Sequence, residues 1–207
     1  MKNLFKFITA ISTLISIIFF VSCSGNNIKQ IDYKERKLST IYNSALDKLL
    51  DEQYEDAALE FEEVERQHPY SLWSKKSILM ASYASYKDAD YIKTEANLKR
   101  FLNLYPASEL ASYAQYLLAM CYYQQIVDVA RDQTSVNLAY DTFNLILDRY
   151  PNSQYAKDAY YKKIYLEDAL AAKEMNVGKT YLSLKKYIAA LRRFKNVINS
   201  YQTSSYV

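Results

Sequence analysis

Few side chains in this chain could do chemistry. Its 207 residues include one histidine, His68, and two cysteines, Cys23 and Cys121. A catalytic or metal-binding histidine needs other reactive or coordinating groups around it, and two cysteines are too few for a zinc site. We therefore expect His68 to be structural, and we expect a protein that is not an enzyme and carries no cofactor or metal.

Two short motifs could still bind ligands. Residues 177–180, VGKT, resemble the end of a phosphate-binding loop, but that loop needs a glycine where Lys173 stands and a strand before it. Close helix packing explains Gly178 equally well, and we favour it. The acidic run EFEEVE, residues 60–65, could hold a cation, but its charges flank two apolar residues, which is typical of a solvated helix face.

The composition indicates which elements position these residues. Half of the residues are apolar and only two are glycine, so the chain can form a core but not Gly-dependent turns and loops. No sustained apolar–polar alternation occurs, and we expect an all-α protein. The net charge is +3 and falls to +1 without Lys2 and Lys6, which argues against nucleic acid as a partner.

A repeat sets the helix register. Four segments align from Tyr54, Tyr91, Val136 and Tyr187, and four of their positions match in residue type. Steps of four, three and four residues between these positions place them on one helix face. Position 4 is small, positions 8 and 11 are apolar, and position 15 is His or Tyr: Ala57, Thr94, Ala139, Ala190; Phe61, Leu98, Phe143, Phe194; Val64, Phe101, Ile146, Val197; His68, Tyr105, Tyr150, Tyr201.

All three prolines follow position 15. Pro69, Pro106 and Pro151 each have a serine two residues later. Proline disfavours helical backbone in the residue before it, and serine is a good helix N-cap. Each such joint should therefore link two antiparallel helices, and the fourth joint, with Gln202 in place of proline, should be weaker.

The segments around these joints should also be helical. We predict helices over residues 72–86, 109–123 and 154–170, with further helices before the first and last repeat segments. The runs 41–57 and 177–194 resemble tetratricopeptide repeats. The copies start 37, 45 and 51 residues apart, and residues 127–137 are interpreted as an insertion. The expected fold, over residues 35–207, is a tetratricopeptide-like α-solenoid of antiparallel helix pairs with a concave partner-binding surface.

The amino end resembles a lipoprotein signal. Lys2 and Lys6 precede an apolar stretch over residues 7–21, and FVSC at residues 20–23 resembles a lipobox. We predict a signal peptide over residues 1–22, lipid attachment to Cys23 and a tether over residues 23–34. The alternatives are a retained membrane helix, or a disulfide from Cys23 to Cys121, although Cys121 lies in an apolar run typical of the core.

The joints and flanking segments together resemble the BamD (YfiO) family of the outer-membrane β-barrel assembly machine. The segments that carry the resemblance are SYKDADY, LKRFLNLYP, ARDQT, RYPNSQYAKDA and EMNVGKTYLSLKKYIAALRRF. The resemblance implies a lipid-anchored scaffold on the periplasmic face of the outer membrane. Its expected partners are a BamA-type barrel protein, other assembly-machine lipoproteins and unfolded outer-membrane proteins. Arg193 matches a family arginine that pairs with an acidic residue of BamA.

Three further expectations concern the carboxy end, the alternative function and the tyrosines. Family members continue beyond the final YQTSSYV, so we expect the carboxy end to be truncated relative to the family, or a partner to cover the last helix. Without such cover, four apolar residues of that helix would be open on one side: Leu191, Phe194, Val197 and Ile198. The alternative function is another periplasmic repeat lipoprotein that coordinates cell-envelope or division factors. Most of the 22 tyrosines are interpreted as helix packing residues, and a few as an aromatic binding surface.

Overall fold

The computed structural model describes residues 35–128 and 133–207. The predicted signal peptide, Cys23 and the tether up to residue 34 lie outside the described residues. Residues Arg36–Val207 form one compact unit. Within the described ranges the regular elements are all helices: α1 Leu38–Leu50, α2 Tyr54–Gln67, α3 Leu72–Lys87, α4 Tyr91–Leu104, α5 Ala111–Gln124, α6 Gln133–Arg149, α7 Ala156–Ser183 and α8 Tyr187–Ser200.

Each helix packs mainly against the next one along the chain. We group the helices in chain order into four pairs, called repeats 1 to 4 here: α1–α2, α3–α4, α5–α6 and α7–α8. Helices α3 and α5, the first helices of repeats 2 and 3, also touch. This arrangement confirms the tetratricopeptide-like all-α fold. Among the described helices, none combines the length and the apolar character that a membrane span requires.

The predicted repeat face forms the core. The small and apolar residues at positions 4, 8 and 11 are almost completely buried in the first three copies. Fully burying a Leu, Val or Phe side chain contributes about 1.5–3 kcal/mol, so this face accounts for much of the stability of the stack. In the fourth copy Ala190 and Val197 are buried as well, whereas Phe194 is only partly buried.

The four joints share one backbone hydrogen bond. In every joint the serine N–H, or Ser204 N–H in the fourth, donates to the carbonyl of the position-15 residue at 3.0–3.1 Å. His68, Tyr105 and Tyr201 each end a helix with φ near −130° and ψ between 52° and 56°. The fourth joint, with Gln202, keeps this geometry, so a proline is not required for the turn.

The predicted serine caps are correct only in the first joint. There Ser71 Oγ accepts a hydrogen bond from the backbone N–H of Ser74 and caps α3. In the second joint Ser108 Oγ accepts from Leu110 N–H at 3.2 Å, and α5 begins only at Ala111. In the third, α7 is capped by Tyr155 without a side-chain bond. An extra turn separates these two serines from their helices.

A second recurrent turn links the two helices within repeats 1, 2 and 4. Glu52, Ala89 and Lys185 have φ values of 59°, 60° and 56°, in the left-handed region. Each lies two residues before the second helix of its repeat, and paired backbone bonds to the preceding helix close the turn, such as Asp90 N–H to Ser85 C=O at 2.9 Å. This is a Schellman cap, which usually carries glycine. The sequence contains no glycine at these sites, so no local signal marks them and they were not predicted.

Helix α7 corrects one predicted boundary. Residues 154–170 were predicted as one helix, and another helix was expected to lead into the last repeat segment. The two are a single 28-residue helix, Ala156–Ser183. No proline, left-handed residue or cap interrupts it, so the helix continues until Leu184.

The last helix is better covered than the sequence suggested. Val197 is buried to 1% exposure, while Leu191 and Ile198 remain exposed, as expected. The segment after α8 folds back towards α7, since Thr203 N–H donates to Glu167 and Ser205 N–H donates to Asp168. The expectation that all four apolar residues of this face lack cover is therefore wrong for Val197.

Candidate partner-binding cleft

A concave site lies beside the turn of repeat 4. The left-handed residue Lys185 reverses the chain after α7, so the carboxyl end of α7 and the start of α8 form the two walls of a cleft of about 840 Å³. Glu174 and Tyr181 come from α7, and the other lining residues follow from the turn and α8: Lys185, Lys186, Tyr187, Ile188, Ala189, Arg192, Arg193 and Asn196.

Arg193, the residue singled out by the family resemblance, lies in this cleft. Its Nη1 contacts both carboxylate oxygens of Glu174, at 3.0 and 3.1 Å. Glu174 is the more buried partner, with 14% of its side chain exposed against 43% for Arg193. The hydrogen bond to Glu174 raises the pKa of Arg193 above its usual value. Arg193 also hydrogen-bonds Tyr181, another lining residue, and its remaining exposed surface lines the cleft.

The cleft is basic and partly apolar. Lys185, Lys186, Arg192 and Arg193 line it against a single carboxylate, Glu174. Tyr187 and Ile188 at its edge are 63% and 72% exposed. Such a surface can bind an acidic side chain with a neighbouring apolar group, because arginine pairs well with carboxylates.

Comparison with known proteins places the chain in a family. The family model described as YfiO, outer membrane lipoprotein, matches residues 34–207. The chain belongs to the YfiO family. The resemblance noted from the joints and flanking segments is therefore confirmed.

The relatives of this YfiO chain carry a common name. It is 43% identical over 185 residues to the outer membrane protein assembly factor BamD of Caulobacter vibrioides, which covers 89% of this chain and 61% of the relative. It is 38% identical to the protein of that name from Rickettsia prowazekii and 34% identical to that from Neisseria gonorrhoeae, covering 81% of this chain and 66% of each relative. The chain thus spans just under two thirds of the length of these relatives.

The other candidate residues of this YfiO chain are structural. His68 Nε2 lies 2.8 Å from the carbonyl oxygen of Arg36, so the histidine ties the first joint to the start of the domain. Residues 177–180 lie inside α7, and Gly178 packs on the ring of Phe194, which agrees with the packing interpretation. Cys121 is a free, buried thiol, as its apolar run predicted.

The carboxylates of the acidic run form ion pairs with lysine and arginine side chains. Glu62 pairs with Lys93 at 3.1 Å, and Glu65 makes two bonds to Arg100 at 2.5 and 2.7 Å. These pairs connect α2 to α4, in the next repeat. Toward α1, Glu60 pairs with Arg36 and Lys48. The prediction of a solvated face is wrong because neighbouring helices bring cations to these carboxylates.

The tyrosines agree with the packing interpretation for the most part. Eight of them lie partly buried against the core of repeats 2 to 4. Tyr116 and Tyr155 stack with centroids 4.9 Å apart, and Tyr116 donates to Asp158 at 2.6 Å. Tyr160, Tyr161 and Tyr165 on α7 are 49–60% exposed, and they remain candidates for an aromatic binding surface.

Sequence reasoning missed the partner of Arg193. Glu174 and Arg193 lie 19 residues apart on different helices, so no i, i+4 spacing marks them as a pair. Only the antiparallel packing of α7 on α8 brings the two side chains together.

Proposed function

We propose that this YfiO-family chain is an outer-membrane lipoprotein scaffold of the β-barrel assembly machine. In this role it binds a BamA-type barrel protein, other assembly-machine lipoproteins and unfolded outer-membrane proteins, and it acts without catalysis. The observation that carries the proposal is the family match over residues 34–207, together with relatives named as outer membrane protein assembly factors. Stacked helix pairs also suit a protein that binds other proteins.

The test of this role is recovery of partners from the envelope. The tagged chain is isolated from detergent-solubilised envelopes and the bound proteins are identified by mass spectrometry. The proposal expects a large BamA-type barrel protein among them. Recovery of only division or cell-wall factors would reject it and favour the other periplasmic repeat lipoprotein considered above.

The proposed anchor is a lipid on Cys23, which would hold the chain at the periplasmic face of the outer membrane. A triacylated terminus binds a membrane stably because more than one acyl chain inserts. Cys23→Ala should abolish palmitate labelling, whereas Cys121→Ala, which changes the buried thiol, should leave labelling unchanged. Palmitate incorporation into Cys23→Ala at the normal level would contradict the anchor.

Within this scaffold, Arg193 is proposed as the contact to an acidic side chain of the BamA-type protein. Its exposed guanidinium, held by Glu174 in a basic cleft, supports this role. Arg193→Glu should weaken binding of the purified soluble domains of that protein about tenfold, equivalent to ~1.4 kcal/mol. Lys195→Glu, an equal charge change on an exposed residue of α8, is the control and should bind normally.

A charge exchange separates partner binding from internal stability. The double variant Glu174→Arg/Arg193→Glu can re-form the pair between α7 and α8 in the opposite orientation. We expect it to regain thermal stability relative to Arg193→Glu but to remain defective in binding. Full recovery of binding would show that Arg193 acts only through its pair with Glu174.

A further inference from the structure

The first joint carries an unusual set of exposed side chains. Tyr70 is 101% exposed, Leu72 is 91% exposed and Trp73 is 44% exposed. All three lie within four consecutive residues at the start of α3. Trp73 packs edge-on against the buried ring of Tyr42, with centroids 4.6 Å apart. Tyr70 and Leu72 lose almost no water on folding and contribute nothing to the core, so their exposure needs another reason.

The other joints provide an internal comparison. The residues that correspond to Tyr70 and Leu72 are Ala107 and Glu109 in the second joint, Asn152 and Gln154 in the third, and Thr203 and Ser205 in the fourth. The backbone bond from serine to the position-15 carbonyl is the same in all four. Joint geometry therefore does not require large apolar residues at these two positions, and only the first joint has them there. The position of Trp73 is different, because the other joints carry Leu110, Tyr155 and Tyr206 at it.

The first joint is also where the chain from the amino end meets the repeats. The backbone N–H of Arg36 donates to Gln67 Oε1 at 2.7 Å, and the carbonyl of Arg36 accepts from His68 at 2.8 Å. Thirteen peptide steps separate Cys23 from Arg36, which can span at most about 45 Å. A lipid on Cys23 would thus limit the distance between this joint and the bilayer directly, whereas the other three joints are connected to the anchor only through the repeats.

We propose that the first joint is a membrane-contact surface. Tyr70, Leu72 and Trp73 enter the headgroup region of the leaflet that holds the anchor, and Lys75 and Lys76 attract its anionic headgroups. Tyrosine and tryptophan suit this depth because each has an apolar body and a polar tip, and basic side chains near the surface add electrostatic attraction. The inference rests on the proposed lipid attachment to Cys23.

The chain contains its own reporter for this contact. Trp73 is the only tryptophan in the sequence. The mature lipidated protein is reconstituted in phosphatidylethanolamine–phosphatidylglycerol vesicles, with or without brominated acyl chains, and Trp73 emission is recorded. We expect emission shifted to shorter wavelength and quenched by the brominated lipid.

The matched variant gives the first joint the residues that the second joint has at the positions of Tyr70 and Leu72. Tyr70→Ala/Leu72→Glu copies Ala107 and Glu109 and keeps Trp73 as the probe. A glutamate in the first turn of α3 is favourable for the helix, so the variant should fold, which its circular dichroism checks. We expect it to lose both the shift and the quenching while its lipid anchor still holds it on the vesicles.

The outcomes separate this proposal from the proposed anchor. Mass spectrometry of the reconstituted protein reports the lipid on Cys23 independently. Lipidated protein on vesicles with Trp73 unshifted and unquenched keeps the anchor but overturns the membrane contact, and protein without lipid overturns both. A response of Trp73 to an amphipathic peptide of alternating apolar and polar residues, without a response to the bilayer, would assign the surface to polypeptide and also overturn the proposal.

Discussion

At the scale of single residues, three turns hold left-handed backbone without glycine. Glu52, Ala89 and Lys185 each close a Schellman cap between the helices of a repeat. A side chain in this region costs free energy because Cβ approaches the following carbonyl. The packing of the two helices must supply that energy, so these positions are places where stability can be gained.

Replacing Ala89 by glycine should therefore stabilise the protein. Removing Cβ relieves the strain, and after the larger backbone entropy of glycine in the unfolded chain is subtracted we expect a net gain of about 0.5–1 kcal/mol. Urea denaturation measures the change. The same substitution at Ala96, exposed inside α4, should lower stability by about 1 kcal/mol. Equal effects at the two sites would contradict the assignment of strain.

Cys121 should be chemically inert in the folded protein. Burial raises the pKa of its thiol to about 12, so the reactive thiolate is scarce at neutral pH. We expect no labelling of Cys121 by maleimide at pH 7.5 and complete labelling after unfolding in urea. Rapid labelling of the native protein would show that α5 opens readily.

At the scale of helices, α8 approaches α7 closely at Gly178. A Cβ built on Gly178 would lie 2.4 Å from the ring of Phe194, well inside contact distance. Glycine is unfavourable in the middle of a helix by about 1 kcal/mol relative to alanine, so its presence in this 28-residue helix reflects the approach of α8.

Gly178→Ala should consequently destabilise repeat 4. The ring of Phe194 must move, and overpacking of this kind costs roughly 1–3 kcal/mol, which exceeds the gain in helix propensity. Thermal unfolding measures the loss. A second substitution, Phe194→Leu, removes the ring and should restore part of the stability of Gly178→Ala while lowering that of the parent chain. A more stable Gly178→Ala protein would mean that the ring moves at no cost.

At the scale of the whole molecule, the repeats are connected by ion pairs as well as by the core. Glu62 and Glu65 on α2 reach Lys93 and Arg100 on α4, in the next repeat. These carboxylates are 31% and 22% exposed, and the cations are 29% and 43% exposed. Partly exposed ion pairs of this kind contribute little to the free energy of unfolding. These two pairs nevertheless join neighbouring repeats directly.

A double-mutant cycle on Glu65 and Arg100 should measure this connection. Substituting each by glutamine, singly and together, should give a coupling free energy of about 0.2–1 kcal/mol that decreases with added salt. The pair Glu63–Arg66, three residues apart within α2, is the control because both residues lie on one helix of one repeat. Zero coupling between Glu65 and Arg100 would mean that the core alone aligns repeats 1 and 2.

Much of the architecture follows from local pattern in the sequence. The spacing of Ala57, Phe61 and Val64, and of their counterparts, predicted the buried helix faces because helix geometry places residues four, three and four apart on one side. The prolines likewise predicted three helix ends, since the effect of proline on the preceding residue is local. The same local signals supported the family resemblance, which the comparison with known proteins confirmed.

Other features were decided only by tertiary packing. The pair Glu174–Arg193, the ion pairs of Glu62 and Glu65, and the return of residues 203–205 onto α7 join groups from 19 to 37 residues apart. No short spacing encodes such contacts, because they depend on which helix faces meet after stacking. The left-handed turns at Glu52, Ala89 and Lys185 belong to the same class, since packing between paired helices stabilises a backbone conformation that these residues disfavour by themselves.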